Sequence, residues 1–315
     1  MTALCGKGIW IAHAYDLQRA IEMATSVGAT RLILKVGHGP HYFPETARRL
    51  GPRIRNLGFH PLAWVEITDR LPQEAHVAIT QALALGYEAV ILYLGRTLIT
   101  RDQIQPLTKA LTALELPREQ LLVASPPLAQ LPDRRVMELL APLCKGGWLP
   151  LCFAEWGNAA DVIDREVYQS LSDLSLLWEM SPPVYPVLSP LQKLGTSQAL
   201  LPEEFVPWME GVMRHGVDFF SIYHAASTEK ALWPLLQATT VACQQETAEP
   251  PREASSYIPQ PVYITLNPGD TLWSIINKYG LTKQKFWEWN GHLWDSRGLP
   301  RDSDYMQEGW RIRVK

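Results

Sequence analysis

Glu66 follows the apolar run Leu62-Ala63-Trp64-Val65, and Glu155 follows Leu151-Cys152-Phe153-Ala154, directly before Trp156. Hydrolysis of a glycosidic bond generally uses two carboxyl groups flanking the bond, one protonated and one charged. Flat indole faces beside them suit stacking on sugar rings. Glu66 and Glu155 are therefore the candidate catalytic pair, with Tyr15, Lys35, His38, Trp64, Tyr93, Trp156 and Tyr223 as candidate substrate contacts. The alternative for either glutamate is an ion pair with Lys35, Arg70 or Arg96. His38 and His41, helped by His13 and His224, suggest a metal only if a loop turns both inward, and no third ligand has a recognisable spacing. No metal and no cofactor is expected. Ser125 precedes two prolines and lacks a GxSxG elbow, so a serine nucleophile is not supported.

These residues sit at the ends of apolar runs that read as strands: Gly8–Tyr15, Arg31–Gly37, His60–Ile67, Ala89–Leu94, Leu121–Ser125, Trp148–Ala154, Val184–Leu188 and Asp218–Tyr223. Runs apolar on both faces suit parallel strands covered on both sides. Between them lie amphipathic helical stretches; Leu17, Ile21, Ala24 and Val27 share one face, with Asp16 as the expected N-cap and Gly28 as the stop. The first turn reads His13-Ala14-Tyr15-Asp16 and carries no glycine-rich phosphate loop, which disfavours an open doubly wound sheet. The expectation is a closed (β/α)8 barrel over residues 1–241, with its chemistry at the C-terminal strand ends. The stretch 161–183 is the least regular part.

Residues 242–261 are rich in Pro, Glu, Ser and Gln and read as a linker. Beyond it, 262–315 carries its own pattern: a short alternating strand from Tyr263, a Pro268-Gly269 turn, a stripe of Leu272, Ile275, Ile276 and Tyr279, and a return strand from Trp310 to Val314. The run Pro268-Gly269-Asp270-Thr271-Leu272-Trp273, followed by Asn290, resembles the LysM family, which implies a βααβ fold that binds N-acetylglucosamine-containing glycans, peptidoglycan above all. The resemblance places the groove at Gly269, Asp270, Thr271 and Leu272 on one side and Asn290, Gly291 and His292, after the second helix, on the other. The long charged insertion after Asn290 is similar to versions attached to phage-tail-like particles. The alternative reading is therefore a non-catalytic structural component or cargo of such a particle.

The segments around Lys35 and Glu155 also resemble the second and sixth strands of the barrel lysozymes of glycoside hydrolase family twenty-five. That family has an aspartate ending strand one and an Asp-x-Glu ending strand four. Here those positions read His13-Ala14-Tyr15 and Tyr93-Leu94-Gly95, without the DxxDxDxE of chitinase-like barrels. The resemblance therefore implies a hydrolase with another carboxylate arrangement, or a barrel reused for binding. A formal charge of -3 with no basic block argues against nucleic acid as a partner. No apolar run approaches the length of a membrane span and no secretory signal is recognisable, so no membrane insertion is expected and the location is left open.

Overall fold

The computed structural model describes residues 3–95, 100–168, 171–178, 181–193, 196, 198–241, 263–266, 272, 275, 283–295 and 309–314. The chain divides into two compact units, Met1–Gln245 and Glu246–Lys315. In the first, parallel strands β1 (Gly6–Ile11), β2 (Arg31–His38), β4 (His60–Glu66), β5 (Val90–Tyr93), β6 (Leu121–Ser125), β7 (Gly147–Cys152), β8 (Val187–Leu188) and β9 (Phe219–Ile222) follow one another around a closed sheet. Closure comes from β1, which pairs with β2 through Ile9↔Leu32 and with β9 through Ile9↔Ile222. The expected eight-stranded barrel is what forms.

Alternation along each strand sorts side chains into two layers. Ile9, Ile11, Leu32, Leu34, Val65, Leu92 and Val123 point outward into a shell packed by the helices. Trp10, Ile33, Leu62, Trp64, Ile91, Tyr93, Leu122, Leu149 and Leu151 fill the lumen. The doubled burial explains why the runs are apolar at successive positions. Each such side chain contributes roughly 1.5–3 kcal/mol when fully buried.

Several elements differ from the sequence expectation. The first strand ends at Ile11, and the chain turns through a 3-10 segment at Ala14–Asp16 before α1 (Leu17–Val27). Asp16 occupies the N-cap position without making a side-chain cap bond; Gly28, at φ +69°, does stop the helix and donates to Ala24 O. The expected strand Val184–Leu188 shrinks to Val187–Leu188 plus an isolated bridge at Val184. Pro183 and Pro186 lack the amide hydrogens a longer ladder needs. Leu114 follows the end of α4 (Arg101–Ala113) and is 42% exposed. His38-Gly39-Pro40-His41 forms a hairpin turn in which β3 (His41–Tyr42) runs back along β2, with Gly39 at φ +53°. The irregular stretch contains a π-helical segment, Ala160–Tyr168, and a helix, Leu171–Trp178.

Cys144 and Cys152 are buried thiols, and burial pushes both well above the usual thiol range. Cys5 is disulfide-bonded. Among the described residues no helix is long and apolar enough to cross a membrane.

The second unit pairs β10 (Tyr263–Thr265) antiparallel with β11 (Arg311–Arg313) and carries α9 (Lys283–Asp295). Leu266, Leu272, Ile275, Phe286, Trp294, Trp310, Ile312 and Val314 form its core. Trp287 is part-buried against Phe286 (5.6 Å between ring centres) and Trp294 (4.8 Å). The expected linker, 242–261, lies outside the described residues, as do Ile276 and Tyr279 of the expected stripe.

Candidate functional site

The C-terminal ends of the barrel strands hold a continuous group of aromatic rings. Trp10 and Trp64 meet edge to face with centres 5.3 Å apart, and each indole nitrogen is satisfied, Trp10 by Ser221 Oγ (2.9 Å) and Trp64 by Ile11 O (3.2 Å). Tyr93 packs on Trp64 at 5.1 Å and lies parallel to Tyr223 at 5.8 Å. Phe153 joins Tyr223 to the rim, where Trp156 stacks on it at 5.1 Å. The floor is therefore aromatic and mostly sealed: Trp64 is 1% and Tyr93 4% exposed. Trp10 and Phe153 were not singled out from sequence. The signal available was strand parity: each alternates with a neighbour that points into the helical shell, Ile9 and Ile11 beside Trp10 and Cys152 beside Phe153.

Above this floor stands a charged cluster. Glu66 Oε2 accepts from Lys35 Nζ at 2.5 Å and lies 2.8 Å from His38 Nδ1. The Lys35 ammonium also sits 4.6 Å from the centre of the Trp64 ring, a cation–π arrangement. Burial alone raises the Glu66 carboxyl, but hydrogen bonds and charge from Lys35 and His38 outweigh it and hold the group below the usual carboxylate range. Glu66 is thus ionised at neutral pH, suited to accept hydrogen bonds or stabilise positive charge and unsuited to donate a proton. Burial pushes the Tyr223 phenol up to about 12, against the hydrogen bond from Tyr93 and with help from the Glu66 charge. Tyr223 therefore stays a neutral phenol at neutral pH.

The other expected contacts are scattered. Glu155 lies in a half-buried 3-10 turn, Ala154–Trp156, after β7, three strands around the sheet from β4. Tyr15 is 80% exposed and stacks on His13 (5.0 Å, 9° between planes), off the aromatic floor. Lys35, His38, Glu66, Trp64, Tyr93 and Tyr223 come together; Trp156 reaches them through Phe153. Arg96 lies outside the described residues. Ser125 Oγ accepts from Trp148 Nε1 and donates to Pro126 O, a buried structural arrangement. Among the described residues no group of three or more His, Cys, Asp or Glu is disposed to hold a metal ion.

In the second unit, Asn290 and Gly291 lie inside α9 and are buried. They are helical rather than part of a loop after the helix, and the Asn290 amide donates to Phe286 O at 3.1 Å within α9. Leu272 is a core residue. His292 belongs to α9, while Gly269, Asp270 and Thr271 lie outside the described residues.

Comparison with solved structures gives the fold likeness of the barrel. The C-terminal domain of a putative chitinase from Desulfitobacterium hafniense superposes with a TM-score of 0.53 at 8% identity, over 74% of this chain and 98% of that one. The spore cortex-lytic enzyme SleL of Bacillus cereus gives 0.50 at 10% identity, covering 75% and 74%. Active domain 2 of a thermostable chitinase from Pyrococcus furiosus gives 0.50 at 11% identity, covering 70% and 84%. At such identities the likeness is one of fold. No curated protein matches the chain. Residues 264–300 match the LysM domain family, so the chain joins a barrel of chitinase-like fold to a C-terminal LysM domain.

Proposed function

We propose that this protein binds N-acetylglucosamine-containing glycan, peptidoglycan above all, through its LysM domain, and that the barrel mouth is a second glycan-binding surface. Residues 262–315 act as the anchoring unit, tethered by 242–261 to the barrel at 1–241. The LysM match over residues 264–300 carries this reading. The part-buried rim ring Trp156 supports the barrel's share, because pyranose faces pack on such rings, and the sealed aromatic floor backs it. In this reading Lys35, His38 and Tyr223 hold polar groups of the sugar, and Tyr15 contacts it from outside the floor. Gly269, Asp270, Thr271, Leu272, Asn290, Gly291 and His292 remain the proposed LysM groove.

The full chain is expected to co-sediment with insoluble peptidoglycan and to be released by soluble N-acetylglucosamine oligomers. Trp156→Ala is expected to weaken the barrel's share, at a smaller cost in stability than loss of a fully buried tryptophan, because the ring is only part-buried against Phe153. Absence of sedimentation with either peptidoglycan or chitin overturns the proposal.

A second reading, slow glycan hydrolysis by Glu66 and Glu155, is favoured by one feature. Glu66 is held as a carboxylate at a strand end, the state needed of a nucleophile or charge stabiliser. Glu155 then has to act as the acid. Release of reducing ends from cell walls, lost in both Glu66→Gln and Glu155→Gln, is the expected result. Equal release by wild type and both variants removes the hydrolytic role. No feature of the described residues favours the phage-tail-like assembly alternative.

A further inference from the structure

Tyr15, Arg49 and Arg53 meet in a cleft at the rim of the barrel. The cleft, of about 340 Å³, lies between the Ala14–Asp16 turn that follows β1 and the helix α2 (Pro44–Asn56). Its size falls within that of small-ligand sites, roughly 300–1,000 Å³. The rotation of α2 is set from its buried side. Ala47, Gly51 and Ile54 face inward, the Tyr87 hydroxyl donates to Ala47 O at 2.9 Å, and a side chain at Gly51 would meet the Tyr87 ring at 2.8 Å. Arg49 and Arg53, about one helical turn apart, then share the face that lines the cleft. Leu50, part-buried against the core, lies on the same face, and Glu45 lines the end nearest the head of the helix.

Tyr15 is 80% exposed, yet its ring is braced by His13, which stacks on it at 5.0 Å with 9° between the planes. Both arginines are exposed, and among the described residues no hydrogen bond or ion pair engages either guanidinium. Arg55 of the same helix is instead spent on Gly86 O, at 2.8 Å. An open aromatic face packs on a pyranose ring. Guanidinium forks take a planar carboxylate through two parallel hydrogen bonds. Glu45 can accept from a sugar hydroxyl or an acetamido N–H. Two guanidiniums against one carboxylate leave the lining net positive, which favours an anionic ligand. A polymer of N-acetylglucosamine alone carries no such charge. Peptidoglycan does, because every second sugar bears a lactyl ether whose carboxyl is free or extended into a peptide with carboxylates of its own.

We propose that this cleft binds a carboxylate-bearing saccharide, with Tyr15 against the sugar ring and Arg49 and Arg53 on the carboxylate. The cleft rests on the glycan-binding reading and names the group by which the barrel tells peptidoglycan from chitin. No element has to move for the ligand to enter, since all three side chains already stand at the surface.

Calorimetric titration of the full chain with a soluble disaccharide-tetrapeptide from peptidoglycan, and with the N-acetylglucosamine tetramer, tests it. Wild type is expected to bind the carboxylate-bearing ligand more tightly, by a margin that narrows as salt is raised. Arg49→Ala combined with Arg53→Ala should weaken that ligand roughly tenfold, the low end for hydrogen bonds to a charged group because the site is exposed. Binding of the tetramer and the melting temperature should stay as in wild type. The double lysine variant, Arg49→Lys with Arg53→Lys, keeps the charge without the fork and should recover part of the loss. Tyr15→Ala should weaken the same ligand, and Tyr15→Phe, which keeps the ring, should not. The peptide-free disaccharide locates the carboxylate: a preference it retains assigns the arginines to the lactyl group, and one it loses assigns them to the peptide. The cleft is overturned if the double alanine variant binds the disaccharide-tetrapeptide as wild type does, or if it loses both ligands equally. Wild type that binds the two ligands with equal affinity sinks the cleft and leaves the glycan-binding reading standing; binding of neither sinks both.

Discussion

Lys7 near the base of the barrel and Asp16 at its mouth are buried to the same degree, 8% and 7% exposed, and are treated in opposite ways. The Lys7 ammonium is met by Val27 O at 2.7 Å and Leu236 O at 2.6 Å, tying β1 to α1 and to α8 (Trp233–Ala238). Asp16 keeps an oxygen that nothing meets. Burial disfavours both charges, but only at the base does the fold supply the compensating groups. In barrels of this architecture the N-terminal face serves stability and the C-terminal face serves ligands. The contrast between the two residues follows that division.

The aromatic floor beneath the mouth is the first place to break the comparison. Although Trp64 lies at the functional end, it is sealed and bonded like a base residue, so Trp64→Ala should cost roughly 3–5 kcal/mol in denaturant unfolding. A cost below about 1 kcal/mol would mean that the floor is not the packed support described here. Lys7→Ala comes next. It leaves two buried carbonyls without a donor and should cost about 3 kcal/mol. Glycan affinity is expected to stay unchanged, and a loss of binding by this variant would erase the distinction between base and mouth.

Glu66 gives the smallest effect and the sharpest one. Its folded pKa lies below the ordinary carboxylate value. The stabilisation from Lys35 and His38 is therefore present above that ordinary value and lost as pH falls through the depressed one. With the side chain 24% exposed, the ion pair should be worth only about 1 kcal/mol at neutral pH. Melting curves of wild type and Glu66→Gln should differ at pH 7 and converge in acid. A gap that widens in acid would reverse the assignment.

Much of the barrel was legible because strand parity and the length of each apolar run are local properties. Ile9, Trp10 and Ile11 already alternate between two apolar environments in the linear chain. The helix stop at Gly28 could be read for the same reason. The eighth-part strand around Val187 was overestimated because its apolar content hid the effect of Pro183 and Pro186 on the ladder. Asp16 was misread as a cap because residue type and position favour one, while the geometry of the 3-10 turn denies it the bond. Asn290 was expected in a loop because family spacing suggested one, whereas α9 continues through it to Asp295.

By itself the sequence determined the succession of strands and helices, the closed architecture and the LysM segment, since hydrophobic period and short motifs act over a few residues. Only the tertiary structure decided which strand-end groups meet. Lys35 and His38 take Glu66, and Tyr93 takes Tyr223. Charge state and unmet hydrogen bonds depend on neighbours in space, and chain closure chooses those neighbours.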